Sequence, residues 1–170
     1  MFFQLDAEQQ AIQATVARFA REQIAPHAAE WDETDHFPRE LFSPLADLGL
    51  AGMTIPETYG GTDLSRLTLA IVYETLAMTD LSVVVWLAVH NMVAGIIARW
   101  ADEELRRRYL PEMAAGKLLG AFSLSEAGAG SDPTGLRATA RRDGDSYVLN
   151  GTKLWVTSGN VADVFVVMAR

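Results

Sequence analysis

No cysteine occurs among the 170 residues, which excludes disulfides, thiolate nucleophiles and cysteine-based zinc sites. Histidine is almost as scarce: His27, His36 and His90 stand at no spacing that would hold a metal, and no metal is expected. Basic residues are outnumbered, with 14 Lys and Arg against 22 Asp and Glu, a formal net charge of −8. That balance argues against nucleic acid, because phosphate backbones need clustered positive charge. A small anionic ligand stays possible, since it needs only a local positive site. The N-terminus from Met1 to Glu8 has neither a basic nor a long apolar region, so no secretory signal or Arg-rich transit peptide is read there. With no cysteine to oxidise, a cytoplasmic location is expected. Low-complexity tracts are absent too. The one membrane-like run, Leu81 to Ala98, is interrupted by Ser82, His90, Asn91 and Gly95; these central polar groups make it a buried core helix rather than a membrane span.

What is present is ordinary for a globular protein, 49% hydrophobic and 21% charged, at a length that suits one domain or two small ones. The apolar spacing divides the chain near residue 116. Before it, the pattern is helical. Asp6 with Gln9 forms a capping-box pattern ahead of Ile12, Val16, Phe19 and Ile24, and Pro26 disturbs that helix's end. Pro38 opens a second helix that Gly49 stops. Ile55 to Gly61 reads as a loop, and Leu67 to Thr79 as a third helix. Asp80 or Ser82 starts a fourth that ends near Trp100. Asp102 caps a fifth, which Pro111 is expected to end or kink. From Lys117 the spacing alternates by two. Leu118–Leu124, Leu136–Arg142, Ser146–Leu149, Lys153–Thr157 and Val164–Met168 read as strands, with hairpin turns at Asp143-Gly144 and Asn150-Gly151. The expected class is α+β, an all-α domain over 1–116 followed by an antiparallel β domain over 117–170. That sheet would end on an exposed apolar edge, so the chain is read as the front of a larger protein.

Two segments carry chemistry. Phe122 to Gly135 is a strand running into a loop with glycines at 128, 130 and 135. Such a loop can bring free backbone N–H groups to a ligand and form an anion-binding nest. It is not a P-loop, having no Lys-Ser/Thr after it, and it is a poor dinucleotide fingerprint because a strand follows. A plain Gly-rich turn is the competing reading. In Leu154 to Gly159, Trp155 and Thr157 would share one side of a strand, although strand tryptophans are most often core.

These segments resemble the flavin-binding signatures of the acyl-CoA dehydrogenase family. Ser125-Glu-x-Gly-x-Gly-Ser-Asp132 is similar to the first, and Asn150-Gly-x-Lys-x-Trp-Val-Thr-x-Gly159 to the second, about 30 residues on. Ile-Pro-Glu-x-x-Gly-Gly at 55–61 and Glu-Glu-x-(basic)₃-Tyr-Leu-Pro at 103–111 also look familial, so the resemblance covers essentially the whole chain. It implies FAD as cofactor, held through the backbone of Phe122, Ser123, Leu124 and Ser125, through Gly130 and Ser131, and by Trp155, Val156 and Thr157. Ser131 would also touch an acyl-CoA substrate, and the fourth helix would line the acyl pocket with Trp86, Val89, His90 and Val93. A hydrogen-bonded core role is the plainer reading of His90. Glu126 and Asp132 would order the loop.

The implied parent activity is α,β-dehydrogenation of an acyl-CoA thioester, with electron-transfer flavoprotein as acceptor and a homotetramer as the usual assembly. The family's catalytic base is a glutamate in a C-terminal helical domain. No residue here matches it, so no catalytic residue is assigned and the chain alone is expected to be inactive. Two alternatives stay open: a non-catalytic interaction module of the same fold, and a flavin monooxygenase or acyl-CoA oxidase relative.

Overall fold

The computed structural model describes residues 4–170; Met1, Phe2 and Phe3, part of the N-terminal stretch read above, lie outside them. Helix α1 (Ala7–Phe19) starts on the expected box. Asp6 accepts the Gln9 amide at 2.8 Å, and the Gln9 side chain accepts the Asp6 amide at 3.2 Å. The helix then widens to π geometry over Ala20–Ile24, with the Ala25 amide donating to Ala20 O at 2.9 Å. Ala20 and Ile24 are both seated in the core before Pro26 ends the run. Helix α2 (Ala28–Glu33) was not anticipated; it buries no residue and has no side-chain cap, so its sequence carries no periodic signal. A 3-10 turn over Arg39–Leu41 leads into α3 (Phe42–Asp47), with Pro38 capping that turn. Gly49 stops the segment at φ 76°.

Helix α4 (Arg66–Ala77) is capped by Ser65, α5 (Leu81–Trp100) by Asp80 rather than Ser82, and α6 (Glu103–Ala114) by Asp102. Helix α6 continues through Pro111, contrary to expectation. Pro111 and Arg107, whose carbonyl it leaves without an amide, both lie on the exposed face, while Leu110 and Met113 are 0% exposed. Burying those two side chains, about 1.5–3 kcal/mol each, offsets the ~3 kcal/mol that an internal proline costs.

Helix α5 is the axis of the molecule. Helices α4 and α6 and the first strand pack on it. It is long and apolar enough to cross a membrane, yet half of its apolar window is buried in protein. Its centre also carries His90 and Asn91, both buried and hydrogen-bonded to backbone. It behaves as the core helix that the interrupted run predicted.

Strands β1 (Gly120–Ser123) and β4 (Val164–Val167) pair with each other, and β2 (Thr139–Asp143) forms a hairpin with β3 (Ser146–Asn150) around Gly144. The class is the expected one, helices first and a small β region after. Within it, β1 and β4 run parallel rather than antiparallel, in register from Gly120↔Val164 to Ser123↔Val167. Both strands start at one point, because Leu119 O accepts the Asp163 and Val164 amides at 2.9 and 3.1 Å. Asn150-Gly151 does not turn a hairpin. Gly151 instead allows close approach, since a Cβ there would stand 2.6 Å from that of Ala138. Residues 151–156 form no strand.

Candidate ligand site

The exit of β1 has spent its acceptors on the protein. Ser123 O accepts the Met168 amide at 3.0 Å, Leu124 O the Lys153 ammonium at 2.9 Å, and Ser125 O the Leu154 amide at 2.8 Å. The donors are in the opposite condition: among the described residues, no backbone acceptor meets the amides of Ser125, Gly128, Gly130 or Ser131. Nothing lies within 4 Å of where a Cβ would stand on Gly128 or Gly130, so the loop borders open space. Ser131 is exposed, Ser123 is buried, and Phe122 turns its ring onto the core cluster of α5 and α6.

Glu126 orders this loop. Its carboxylate accepts Lys153 Nζ at 2.8 Å and the Arg137 and Ala138 amides at 2.7 and 2.9 Å. The Lys153 bond first, then the two amides, hold its pKa down to about 2. Asp132 is occupied by the Thr134 amide and hydroxyl. A carboxylate so engaged cannot serve as a general base near neutral pH.

Thr157 and Ser158 line a hollow of about 350 Å³ with Phe37, Leu81, Ser82, Val85 and Trp86. Two buried polar atoms of residues that line it, Trp86 Nε1 and Ser158 Oγ, have no hydrogen-bond partner among the described residues, a state that protein interiors normally avoid. Trp155 does not share the hollow. It sits outside any strand at φ 57°, with 93% of its surface exposed, and Ser158 is also left-handed at φ 60°. The expected same-side placement of Trp155 and Thr157 on a strand is therefore replaced by two strained residues bracketing Val156 and Thr157, which are half-buried. Without ladder bonds beyond the Leu154 amide, nothing imposes strand alternation here. Strain of this kind clusters at ligand sites, and a bare indole in a strained backbone gains nothing from the protein's own packing.

Of the four α5 positions expected to line a pocket, only Trp86 reaches the hollow. His90 and Val93 are 0% exposed in the core, and Val89 is half-buried against the α6 side. The helical turn explains this, since positions 90 and 93 follow 86 onto the inward face. Leu81 and Val85, on the opposite stripe, were missed although their i, i+4 spacing was visible. No sequence signal brings Phe37 or Ser158 to this place.

The chain's residues fit a flat, acceptor-rich ring with a phosphate-bearing tail. An exposed indole offers a stacking platform, and the amides without acceptors beside the open glycines offer donors. Replacing Trp155 by glycine separates this role from folding. Trp155→Gly is expected to keep or raise the melting temperature, because it relieves a left-handed residue worth about 1 kcal/mol, while weakening flavin uptake. Thermal melts and a flavin fluorescence titration check both halves.

The profile of the acyl-CoA dehydrogenase N-terminal domain matches residues 6–117, and that of the middle domain matches residues 121–170. The mitochondrial isobutyryl-CoA dehydrogenase of Dictyostelium discoideum is 37% identical over 166 residues, 98% of this chain and 40% of its own length. The mitochondrial isovaleryl-CoA dehydrogenase of Bos taurus is 38% identical over 169 residues, with the same coverages of 98% and 40%. A Mycobacterium smegmatis glutaryl-CoA dehydrogenase solved with FADH2 superposes with a TM-score of 0.93 at 35% identity, over 98% of this chain and 43% of that one. The chain thus spans about two fifths of the length of the relatives it matches.

Proposed function

The chain belongs to the acyl-CoA dehydrogenase family, and from that premise we propose that it forms the flavin-holding front part of an FAD-dependent acyl-CoA dehydrogenase. The observation that carries this reading is Trp155, a 93% exposed ring held in left-handed backbone next to a loop of amides without acceptors. FAD, when bound, supplies a hydride acceptor for α,β-dehydrogenation of an acyl thioester. The protein's share is placement. Trp155 would stack on the ring, the Thr157 hydroxyl would donate to its edge, and the amides from Ser125 to Ser131 with the Ser131 hydroxyl would hold the phosphate-bearing tail. Leu81, Val85 and Trp86 would exclude water on the α5 side of the acyl group. His90 and Val93 are not part of that lining.

The reading takes the proton-abstracting base to lie outside these residues, and the engagement of Glu126, the carboxylate of the loop, with Lys153 and two amides supports it. The reading also includes a domain division between residues 116 and 117, an electron-transfer flavoprotein as acceptor, a tetrameric assembly and a cytoplasmic setting. The test uses the full protein that carries this chain. Added FAD should give the visible absorbance of bound oxidised flavin, and an acyl-CoA panel that includes isobutyryl- and isovaleryl-CoA should bleach it. Absence of bound flavin, or bleaching by none of the thioesters, overturns the proposal.

A further inference from the structure

A turn such as Thr157–Ser158 lies at the surface and is positioned by the scaffold to which its flanking residues are bonded. Here that bond comes from Arg39. Its Nη1 donates to Val161 O at 2.5 Å and its Nη2 to Asp163 Oδ2 at 2.7 Å. The same carboxylate oxygen accepts the Leu119 amide at 2.7 Å, one residue before β1. One guanidinium thus joins the segment after Phe37, the residues following Ser158, and the start of the strand that leads to the glycine loop. Its position is fixed in turn, because it stands 5.9 Å from the Phe42 ring, and that ring packs edge-on against Trp86 and His90. Phe37 and Trp86 line the same hollow as Thr157 and Ser158, so the clamp links the segment on one side of the hollow to the residues that follow the turn on the other. Burial raises the Asp163 pKa, but the Leu119 amide and Arg39 outweigh it and keep the carboxyl below its ordinary value. The pair is therefore ionised near neutral pH. Arginine suits the task better than lysine, because two acceptors in a fixed relation match a planar fork and not a point charge.

We propose that Arg39 is a positioning residue, whose fork to Val161 O and Asp163 sets where the Thr157–Ser158 turn stands over α5 and hence where a ring ligand meets the Thr157 hydroxyl. The ligand half of this inference rests on the flavin reading above; the positioning half does not. Two variants of the full protein test it: Arg39→Ala and Arg39→Lys. In Arg39→Ala, the hydrogen-bonded amides of Gly159, Val161, Ala162 and Asp163 are expected to exchange ~10-fold faster or more, while the centre of α5 is unchanged. In the flavin-loaded protein the visible flavin band shifts, and kcat falls ~10-fold while KM for the thioester stays within about twofold. Arg39→Lys keeps the charge and is expected to recover the melting temperature but not kcat, a split that a merely structural role would not give. Unchanged exchange at 159–163 in Arg39→Ala overturns the inference, and so does full recovery of kcat by lysine. If the wild-type protein takes up no flavin, the functional reading fails, and the exchange experiment alone decides the role of Arg39.

Discussion

Replacing His90 by alanine is expected to remove about half of the stability of an ordinary domain. The imidazole is 0% exposed and bridges three elements. Nε2 lies 2.9 Å from Ala51 O, and Nδ1 accepts the Gly120 amide at 3.1 Å. Since Nδ1 is the acceptor, Nε2 carries the proton and the ring is neutral. Alanine would leave a buried carbonyl and a buried amide without partners, at about 1–3 kcal/mol each. It would also lose the edge-on contact with Phe42 at 4.8 Å between centroids, worth about 0.5–1.5 kcal/mol. Together these come to about 2.5–7.5 kcal/mol, half of the about 5–15 kcal/mol that stabilises an ordinary domain. Urea melts of wild type, His90→Ala and His90→Gln measure the effect; glutamine can keep one of the two bonds and should fall between.

The same residue sets a pH dependence. Burial pulls the His90 pKa down to about 4 from its ordinary 6.5. Between those values the unfolded chain takes up a proton that the folded chain refuses, so stability falls as pH drops from 6.5 toward 4 and is flat in this respect above 6.5. The shift corresponds to ~3 kcal/mol over that window. His90→Gln should remove this part of the slope; an equally steep loss in that variant would show that other groups cause it.

Gly61→Ala is expected to be nearly as damaging, at ~4 kcal/mol, above the about 1–3 kcal/mol that overpacking a core usually costs. A Cβ at Gly61 would stand 2.0 Å from Ile55 O and 2.5 Å from Ile55 C. Both are backbone atoms, and Ile55 O also accepts the Asp63 amide at 3.2 Å, so they cannot swing aside as a side chain would. Gly52 presses on the same point: a Cβ there would meet the Gly61 Cα at 3.0 Å. The neighbouring Gly60 provides the control. It has open space around it but φ 83°, so Gly60→Ala should cost only the left-handed penalty, about 1–2 kcal/mol. Melting temperatures decide, and a Gly61→Ala loss no larger than that of Gly60→Ala would contradict the packing argument.

The helical half was readable because its signals are local. Asp6, Asp80 and Asp102 each announce a helix start within three residues, and the inward stripe of α5 follows from spacing alone. Where the outcome depends on distant partners, reading fails. The parallel pairing of β1 with β4 arises from contacts between Leu119 and Asp163, 44 residues apart, and no pattern within either strand encodes it. Pro111 misled because the burial of Leu110 and Met113 is a tertiary fact. At the ligand site, the glycine loop and the ordering role of Glu126 were visible in the motif. The left-handed backbone of Trp155 and Ser158 was not, since neither residue type favours it. The lining of the hollow mixes residues near 37, 81–86 and 157, which only the packed molecule brings together.

The spent carbonyls from Ser123 to Ser125 have a consequence for selectivity. A rim that can give hydrogen bonds but has few left to receive works as a filter of one polarity. Molecules that present lone pairs are welcomed there, whereas those edged with amino groups meet like facing like. At Leu124 and Ser125 the filter forms as the Lys153 segment folds, because the contacts that anchor that segment silence those two oxygens.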